Sequence, residues 1–167
     1  MSHHLYLIEG MDGCGKTTLA KLLTDMHVAQ HHQVVNLHAS RPNSRNWVRE
    51  YVTPALKPEK VVICDRWHLG EWVWPFANLK ADADYETTRR PIFSIEEMKS
   101  IERVLRTFFD GSYNAIYLER PEADMKTVRE IDYPYSAVKK LYARAISYSI
   151  FLWECGSLDD MRGTFNV

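Results

Sequence analysis

A glycine-rich segment at residues 10–17 has the residue types and the spacing to bind phosphate groups. It follows the pattern G-x-x-x-x-G-K-[ST] at every position. Its glycines allow the backbone to turn tightly and to direct N–H groups at phosphate oxygens. In such a loop the lysine, here Lys16, reaches the β- and γ-phosphates, and the hydroxyl of Thr17 ligates Mg²⁺. The segment is therefore predicted to hold the phosphates of ATP or a close relative, together with Mg²⁺.

The context of this loop supports the prediction. Residues 4–9 form a short apolar run of the kind found in buried strands, and the apolar positions from Leu19 to Met26 recur at helical spacing. A phosphate loop lies between a strand and a helix, and the helix adds the positive end of its dipole to the site. The loop residues predicted to bind ATP or its metal are Gly10, Asp12, Gly13, Cys14, Gly15, Lys16, Thr17 and Thr18.

Two charged residues, Asp65 and Arg66, follow another apolar run at residues 60–64. An acidic residue at a strand end can hold Mg²⁺ with Thr17, directly or through water, although Asp65 could instead cap the following helix. The guanidinium of Arg66 suits bidentate binding of phosphate. With a phosphate loop already present, we predict Lys16, Asp65 and Arg66 as catalytic residues. Thr17 and Asp65 are the predicted metal ligands.

The remaining pattern alternates short apolar strands with amphipathic helices. Further strands are predicted at 33–38 and 115–118, and a capping box of Ser94 and Glu97 predicts the start of another helix. This alternation predicts an α/β fold in three layers, with a central parallel sheet and ligands at the carboxyl ends of its strands. The chain of 167 residues suits a single domain, 1–167.

Three further expectations concern the helices and the end of the chain. A helix that begins near Trp67 should be interrupted by Pro75, which lacks a backbone N–H. The last clear helix carries apolar residues from Val138 to Leu152 on one face. Residues 154–167 fit a fifth strand, a loop against the adenine base, or neither.

Composition and charge argue against several classes of partner. The net charge of −1 gives no overall positive field that would attract nucleic acid or an anionic membrane. No apolar run approaches the roughly 20 residues of a membrane span, and no secretory signal pattern is recognisable. The three cysteines have no disulfide spacing, as in a reducing compartment. We therefore expect a cytoplasmic protein with a small-molecule nucleotide substrate, and a homodimer is compatible with the sequence.

Several motifs together resemble the thymidylate kinase family. Residues 9–18, Glu-Gly-Met-Asp-Gly-Cys-Gly-Lys-Thr-Thr, are similar to the opening of those enzymes, and residues 65–67, Asp-Arg-Trp, are similar to their Asp-Arg-aromatic motif. Residues 40–42, Ser-Arg-Pro, fall where the family has Arg-Glu-Pro. Residues 117–119, the basic stretch after them and the helix from Tyr135 resemble the family's fourth strand, lid and closing helix. The short chain also resembles compact members encoded by phages.

The resemblance implies the P-loop fold of nucleoside monophosphate kinases. The implied reaction is the ATP-dependent phosphorylation of a deoxynucleoside monophosphate, dTMP or a related pyrimidine nucleotide, to the diphosphate. In that reaction Arg66 would bind the acceptor's phosphate, Asp12 would face the sugar 3′-hydroxyl, and Trp74 would lie near the base. The chain departs from the family at Arg41, where glutamate is usual, and at Pro75, where glutamine is common. These departures leave the choice of base open.

The charges of two segments favour a substrate that already carries phosphate. A monophosphate is an oxyanion and needs cations, whereas the 5′-hydroxyl of a nucleoside benefits from a general base. The segment after the second strand has no carboxylate before Glu50 and offers Arg41 and Arg45 as substrate contacts. Because the loop interior has no cation besides Lys16, a short lid at about 119–134 is expected to meet the transition-state charge. Its predicted contributors are Lys126 as an ATP contact and Arg129 as a catalytic residue, with Arg120 behind them.

Two other functions agree with parts of the sequence. The aromatic cluster around Trp74 and the missing glutamine agree with a P-loop kinase for a nucleoside, a modified pyrimidine nucleotide or modified DNA. A nucleotide-binding regulatory ATPase would have a phosphate loop without a transferable acceptor. Such proteins usually add a water-positioning residue or an arginine from a partner, and the sequence has no such signature. The leading prediction is therefore a deoxynucleoside monophosphate kinase.

Overall fold

A sheet of five parallel strands forms the centre of the chain. The structure is a computed structural model that describes residues 3–39, 44–58, 60–77, 93–121, 124 and 135–167. The strands are β1 (His4–Gly10), β2 (Val34–His38), β3 (Val61–Asp65), β4 (Tyr113–Leu118) and β5 (Trp153–Gly156). They lie side by side in the order β2-β3-β1-β4-β5. The predicted parallel sheet is confirmed. Strand β5 is added to the four strands that the sequence predicted.

In the described part of the chain, five α-helices and one short π-helical segment surround the sheet. The helices are α1 (Lys16–Ala29), α2 (His68–Ala77), α3 (Ile95–Phe108), α4 (Tyr135–Tyr148) and α5 (Leu158–Phe165), and the π-helical segment is Val48–Val52. The predicted capping box at the start of α3 is present. The Ser94 side chain accepts from the N–H of Glu97, and the Glu97 carboxylate accepts from the N–H of Ser94. Within the described ranges, none of the helices has the length and apolar character needed to cross a membrane.

The helices cover both faces of the sheet. On one face Leu19 and Leu23 of α1 and Met161 of α5 pack against the strands. On the other face Ile101 and Leu105 of α3 do so, and α2 and α4 pack against each other beside them. Because successive side chains of a strand point to opposite faces, the central strands β1 and β3 are buried on both sides and read as nearly continuous apolar runs. The three-layer α/β architecture is therefore confirmed.

The register of β1 places the phosphate loop between two neighbouring strands. Ile8 of β1 lies opposite Asp65 of β3, and Gly10 lies opposite Leu118 of β4. The loop after β1 therefore opens at the carboxyl edge of the sheet, near its middle. In parallel sheets this is the edge at which ligands bind.

The expectation that Pro75 interrupts its helix is wrong, because α2 continues through this residue to Ala77. A proline inside a helix removes one backbone hydrogen bond and costs roughly 3 kcal/mol. Leu69, Trp72 and Val73 of the same helix are buried in the core. Each such side chain contributes roughly 1.5–3 kcal/mol on burial, which outweighs the loss.

The expectation that the last clear helix carries Leu152 on its apolar face is also wrong. Helix α4 ends at Tyr148, and Leu152 is 83% exposed. The Ser149 hydroxyl and the Ile150 N–H donate to the buried carboxylate of Glu102, each at 2.7 Å. These bonds direct the chain out of the helix and into β5, which supplies the fifth strand considered for the carboxyl-terminal segment. Helix α5 then follows.

Candidate active site

The phosphate loop folds tightly because glycine occupies its strained positions. Gly10 has a φ of 141°, and a Cβ there would lie 2.5 Å from the Leu118 carbonyl oxygen and 2.8 Å from Cys14 Sγ. Gly13 and Gly15 also have positive φ angles, of 80° and 99°. Side chains other than glycine rarely adopt such angles. The loop can therefore take this form only with glycine at Gly10, where both the angle and the space require it.

Lys16 lies along the loop rather than extending into solvent. Its side chain is buried, and its Nζ donates to the carbonyl oxygens of Gly10 at 2.8 Å and Met11 at 2.6 Å. The ammonium group is thus held at the loop by the loop's own backbone. This position is consistent with the predicted contact to phosphate.

Cys14 contributes to the loop in a different way. Its side chain is 3% exposed and packs in the core cluster beneath α1. Burial raises the pKa of its thiol, although the nearby Lys16 opposes that change. Any contact of Cys14 with a bound phosphate must therefore come from its backbone.

Thr17 and Asp65 meet at the carboxyl edge of the sheet. The Thr17 hydroxyl donates to Asp65 Oδ2 at 2.7 Å, and His38 Nδ1 lies 3.6 Å from the same oxygen. The other carboxylate oxygen, Asp65 Oδ1, is buried and has no hydrogen-bond partner among the described residues. A hydroxyl and a carboxylate with a free oxygen are hard oxygen donors, which Mg²⁺ prefers. The two residues therefore fit the predicted metal site.

Arg66 has an unusual backbone for its place in the fold. Its φ is 62°, in the left-handed region. Three other described residues with such angles, His31, Asp110 and Asn166, lie at or just beyond the ends of helices, where this conformation is common. Arg66 instead lies between a strand and a helix. An observed outlier of this kind supports a functional role for the residue.

The side chain of Arg66 turns toward the phosphate loop. Its Nη2 forms an ion pair with Asp12 Oδ1, and both side chains are partly exposed. The two residues predicted to bind the acceptor's phosphate and sugar are thus neighbours, although they are 54 positions apart in sequence.

A cavity of about 670 Å³ opens beside the loop. The loop lines it together with Arg66, Arg120 and the start of α5. Arg120 Nη1 donates to the Gly13 carbonyl at 3.2 Å, so a guanidinium of the segment after β4 lies directly on the loop. The sequence placed Arg120 behind the other two lid cations, Lys126 and Arg129, and both of these lie outside the described residues.

The start of α5 is the part of the cavity wall that the sequence did not assign. Ser157, Leu158 and Asp159 line the cavity. A reciprocal capping box joins Ser157 and Asp160. The pattern Ser-x-x-Asp is visible in the sequence and would have located this helix. The alternative of a loop against the adenine base stays a prediction for this segment.

The remaining predicted substrate contacts are less closely gathered. Trp74 is half-buried on α2, and its ring packs edge-on against Tyr142 of α4 at a centroid distance of 6.4 Å. Tyr142 in turn donates to the Gly10 carbonyl at 3.3 Å, so Trp74 is one ring removed from the loop. Arg45 is exposed, and among the described residues no side-chain contact joins it to Arg66. Arg41 lies outside the described residues.

A buried polar network fixes α2 beneath the site. His68 Nε2 and Glu102 Oε1 are 2.8 Å apart, and both side chains are fully buried. Burial alone would raise the pKa of Glu102, but its hydrogen bonds with His68, Ser149 and the Ile150 N–H lower it overall. The network joins α2 to α3 and to the residues between α4 and β5. It holds the helix that follows Arg66 in a fixed position.

Comparisons with known proteins agree with this architecture. No protein-family model matches the sequence, and no curated protein matches it significantly. The YorR protein of Bacillus subtilis, solved in complex with phosphorylated GDP, aligns with 90% of this chain and 84% of its own at a TM-score of 0.57 and 18% identity. Polyphosphate kinase 2 of Arthrobacter aurescens TC1 aligns with 92% of this chain and 61% of its own at a TM-score of 0.62 and 12% identity. Thymidylate kinase of Ehrlichia chaffeensis aligns over the full length of both chains at a TM-score of 0.51 and 14% identity.

The chain has the fold of P-loop kinases. At 12–18% identity the similarity concerns the fold alone. Its function must therefore be argued from the site, because one fold can carry many activities.

Proposed function

We propose that this chain is a P-loop kinase that transfers the γ-phosphoryl group of ATP to a deoxynucleoside monophosphate. The favoured acceptor is dTMP or a related pyrimidine nucleotide, and the product is the diphosphate. One observation carries the proposal. Arg66, in a left-handed backbone conformation, contacts Asp12 of the same loop that presents Lys16 and Thr17. The group that would bind the acceptor's phosphate is thus next to the groups that would bind the donor.

The donor half of the site consists of the loop and the end of β3. Backbone N–H groups of the loop would bind the phosphates of ATP, and Lys16 would bridge the β- and γ-phosphates. Thr17 and Asp65 would hold Mg²⁺, which neutralises charge on the phosphate oxygens when bound. The cavity wall at Ser157 and Leu158 would face the nucleoside part of ATP.

The acceptor half uses Arg66 and Asp12. Arg66 would take the acceptor's phosphate, while Asp12 would accept from the sugar 3′-hydroxyl and Trp74 would lie near the base. An oxygen of the acceptor's phosphate attacks the γ-phosphorus, a new P–O bond forms, and the bond to the β–γ bridging oxygen breaks. That oxygen keeps the electron pair and leaves as part of ADP. The acceptor is already an oxyanion, so no proton has to be removed.

Positive charge around the transferred group would come from three directions. Lys16 lies on the loop, Arg66 lies at the end of β3, and Arg120 lies on the carbonyl of Gly13. Cations placed where charge develops in the transition state lower the barrier. Lys126 and Arg129 of the proposed lid would add to them. The site would then resemble those of thymidylate kinases in having separate groups for the donor and the acceptor.

The experiment that tests this proposal is a panel of acceptors and donors. The purified chain is incubated with Mg²⁺ and ATP, and ADP and phosphorylated product are measured with dTMP, dUMP, dCMP, dGMP, thymidine and DNA. Polyphosphate replaces ATP in a parallel series, because one structural neighbour is a polyphosphate kinase. We expect the highest kcat/KM with a pyrimidine monophosphate and ATP. Phosphorylation of nucleosides or DNA, with every monophosphate inert, would exclude the proposal, as would ATP hydrolysis without a phosphorylated product.

A pair of variants gives the panel its internal control. Arg66→Ala should lower kcat/KM for the monophosphate by about 10²-fold, because it removes a charged donor that contacts the acceptor. Arg103→Ala removes an exposed arginine that pairs weakly with Glu96 on α3, at 3.9 Å, and should leave the rate unchanged. Equal losses in the two variants would contradict the role given to Arg66.

A further inference from the structure

Glu9 is a buried carboxylate beside the phosphate loop to which the proposed function gives no role. It is fully buried and immediately precedes Gly10, the last residue of β1. Buried charged groups normally have hydrogen-bond partners that justify their place. Its partners therefore indicate what the residue does.

Among the described residues, the hydrogen bonds to the Glu9 side chain come from the residue before α2 and from the first turn of that helix. Its Oε1 accepts from the N–H groups of Trp67 at 2.9 Å, Leu69 at 3.1 Å and Gly70 at 3.4 Å. The first N–H groups of a helix have no partner inside the helix, and a Ser, Thr, Asp or Asn just before the helix usually accepts from them. Here Trp67 occupies that position and cannot do so. Glu9 of the neighbouring strand serves as the cap instead.

Hydrogen bonds from neighbouring residues hold the backbone on both sides of Arg66. The N–H of Arg66 donates to the carbonyl of Ile8 at 2.9 Å, and the N–H of the next residue, Trp67, donates to Glu9. The carbonyl of Arg66 accepts from the N–H of Ala39, beyond β2, at 3.2 Å. The left-handed conformation of Arg66 is therefore fixed by neighbouring strands on both sides. Such a conformation persists only when the surrounding structure determines it.

We propose that Glu9 is a positioning residue that caps α2 from β1 and thereby fixes Arg66 in the orientation that faces the acceptor's phosphate. This inference rests on the proposed function, since it names what orients the acceptor-binding arginine. Glu9 itself does not touch the substrate. It links the strand that carries the phosphate loop to the turn that carries Arg66, so that the donor and acceptor halves keep a constant separation.

The chemistry of the cap offers a matched set of variants. Only Oε1 accepts the three N–H groups, while Oε2 has no hydrogen-bond partner among the described residues. Glu9→Gln keeps an acceptor oxygen of the same reach, and its amide nitrogen can occupy the place of Oε2. Glu9→Ala removes the acceptor. Glu9→Asp keeps the carboxyl group but shortens its reach, and it replaces Glu9→Ala if that variant does not fold.

The test compares two ligands that differ by one phosphate. Dissociation constants for dTMP and for thymidine are measured by calorimetry on the full chain, and KM for ATP is measured in the transfer assay. We expect Glu9→Ala to weaken dTMP binding by about 10-fold or more and to leave thymidine binding and KM for ATP within about 3-fold. Glu9→Gln should restore dTMP binding to within about 3-fold of the wild type. A loss of affinity for both ligands alike, or no rescue by Glu9→Gln, would overturn the inference.

Two controls separate this inference from the proposed function. Amide hydrogen exchange at Trp67, Leu69 and Gly70 should accelerate in Glu9→Ala, which tests the cap without any ligand. Ile116→Ala removes a buried side chain of β4 on the opposite face of the sheet, and it should lower stability while keeping the preference for dTMP over thymidine. Failure of every monophosphate in the transfer panel would end the proposed function. Unchanged exchange at the three amides would end the role of Glu9.

Discussion

The polar groups at the two ends of the central sheet differ in their hydrogen bonding. At the amino end, His4 Nε2 lies 2.6 Å from Asn114 Oδ1. The two ring nitrogens of His27 each lie 3.0 Å from a partner, one from His32 Nδ1 and the other from the Tyr6 hydroxyl. At the carboxyl end, Glu9 Oε2, Asp65 Oδ1 and His68 Nδ1 are buried without hydrogen-bond partners among the described residues. Among the described residues, the polar groups named at the amino end have hydrogen-bond partners, whereas the three atoms named at the carboxyl end have none.

This difference indicates which end is built to bind. An unpaired buried polar atom costs free energy, so folding alone would not favour three of them at one end of the sheet. The same end contains Arg66 in its left-handed conformation and the glycines of the phosphate loop. The histidine-rich end resembles a binding site in composition but not in its hydrogen bonding. The state of the polar atoms, rather than the residue types, separates the site from the scaffold.

The largest effect should come from removing the loop cation. We expect Lys16→Met to lower kcat by about 10³-fold, because the lost charge is one that stabilises the transition state. The melting temperature should fall by a few degrees at most, since the lost contacts are two hydrogen bonds to loop carbonyls and a longer one to Cys14 Sγ. Lys21→Met, on the exposed side of α1, is the matched control and should keep the wild-type rate. Full activity in Lys16→Met would remove the basis for placing the site at this end.

A smaller effect is expected from the proposed metal ligand. Asp65→Asn removes the charge but keeps the shape, so we expect kcat to fall by about 10²-fold and the Mg²⁺ concentration for half-maximal rate to rise. A titration of activity against Mg²⁺ measures both quantities, and chelation by EDTA should abolish transfer. His38→Ala changes a neighbour at 3.6 Å and should shift the Mg²⁺ requirement much less. An unchanged Mg²⁺ requirement in Asp65→Asn would contradict the assignment.

The smallest effect is expected at the amino end, and it concerns stability alone. Burial, together with the nearby His32 and His4, lowers the pKa of His27. In the unfolded chain a histidine binds its proton near pH 6.5, so below this pH the unfolded state gains a proton that the folded state does not. The free energy of unfolding should therefore fall as the pH drops from about 6.5 through the pKa of folded His27.

Chemical unfolding at pH 7.5 and pH 5.5 tests this expectation. His27→Gln should lose less stability than the wild type over that interval, and its kcat at pH 7.5 should be unchanged. His31→Gln alters an exposed histidine of the same region and should behave like the wild type. A change in kcat for His27→Gln would mean that the two ends are not independent.

The sequence predicted the centre of the molecule well. The apolar runs of β1 and β3 and the glycine-rich loop are local patterns, and the structure has them where the sequence placed them. The capping box at Ser94 also follows from four adjacent residues. The resemblance to thymidylate kinases agrees with the fold, whereas the roles of Asp65, Arg66 and Asp12 stay predictions that their proximity supports.

The failures lie where distant residues decide the local structure. Helix α4 ends because Glu102, on another helix, accepts from the residues after Tyr148, and no local signal announces this. Strand β5 has four residues at the edge of the sheet, too few for a clear pattern. Arg120 contacts the Gly13 carbonyl, a partner 107 positions away that no local pattern indicates. Glu9 was read as part of a motif, and its partners lie 58 or more positions away.

The most direct test of the account follows the transferred group itself. ATP labelled with ¹⁸O on the γ-phosphoryl group is incubated with Mg²⁺, dTMP and the wild-type chain, and the products are analysed by mass spectrometry. We predict a labelled terminal phosphoryl group on the nucleoside diphosphate, formed in step with ADP. Label recovered solely as inorganic phosphate, with dTMP and the other monophosphates unchanged, would contradict the account.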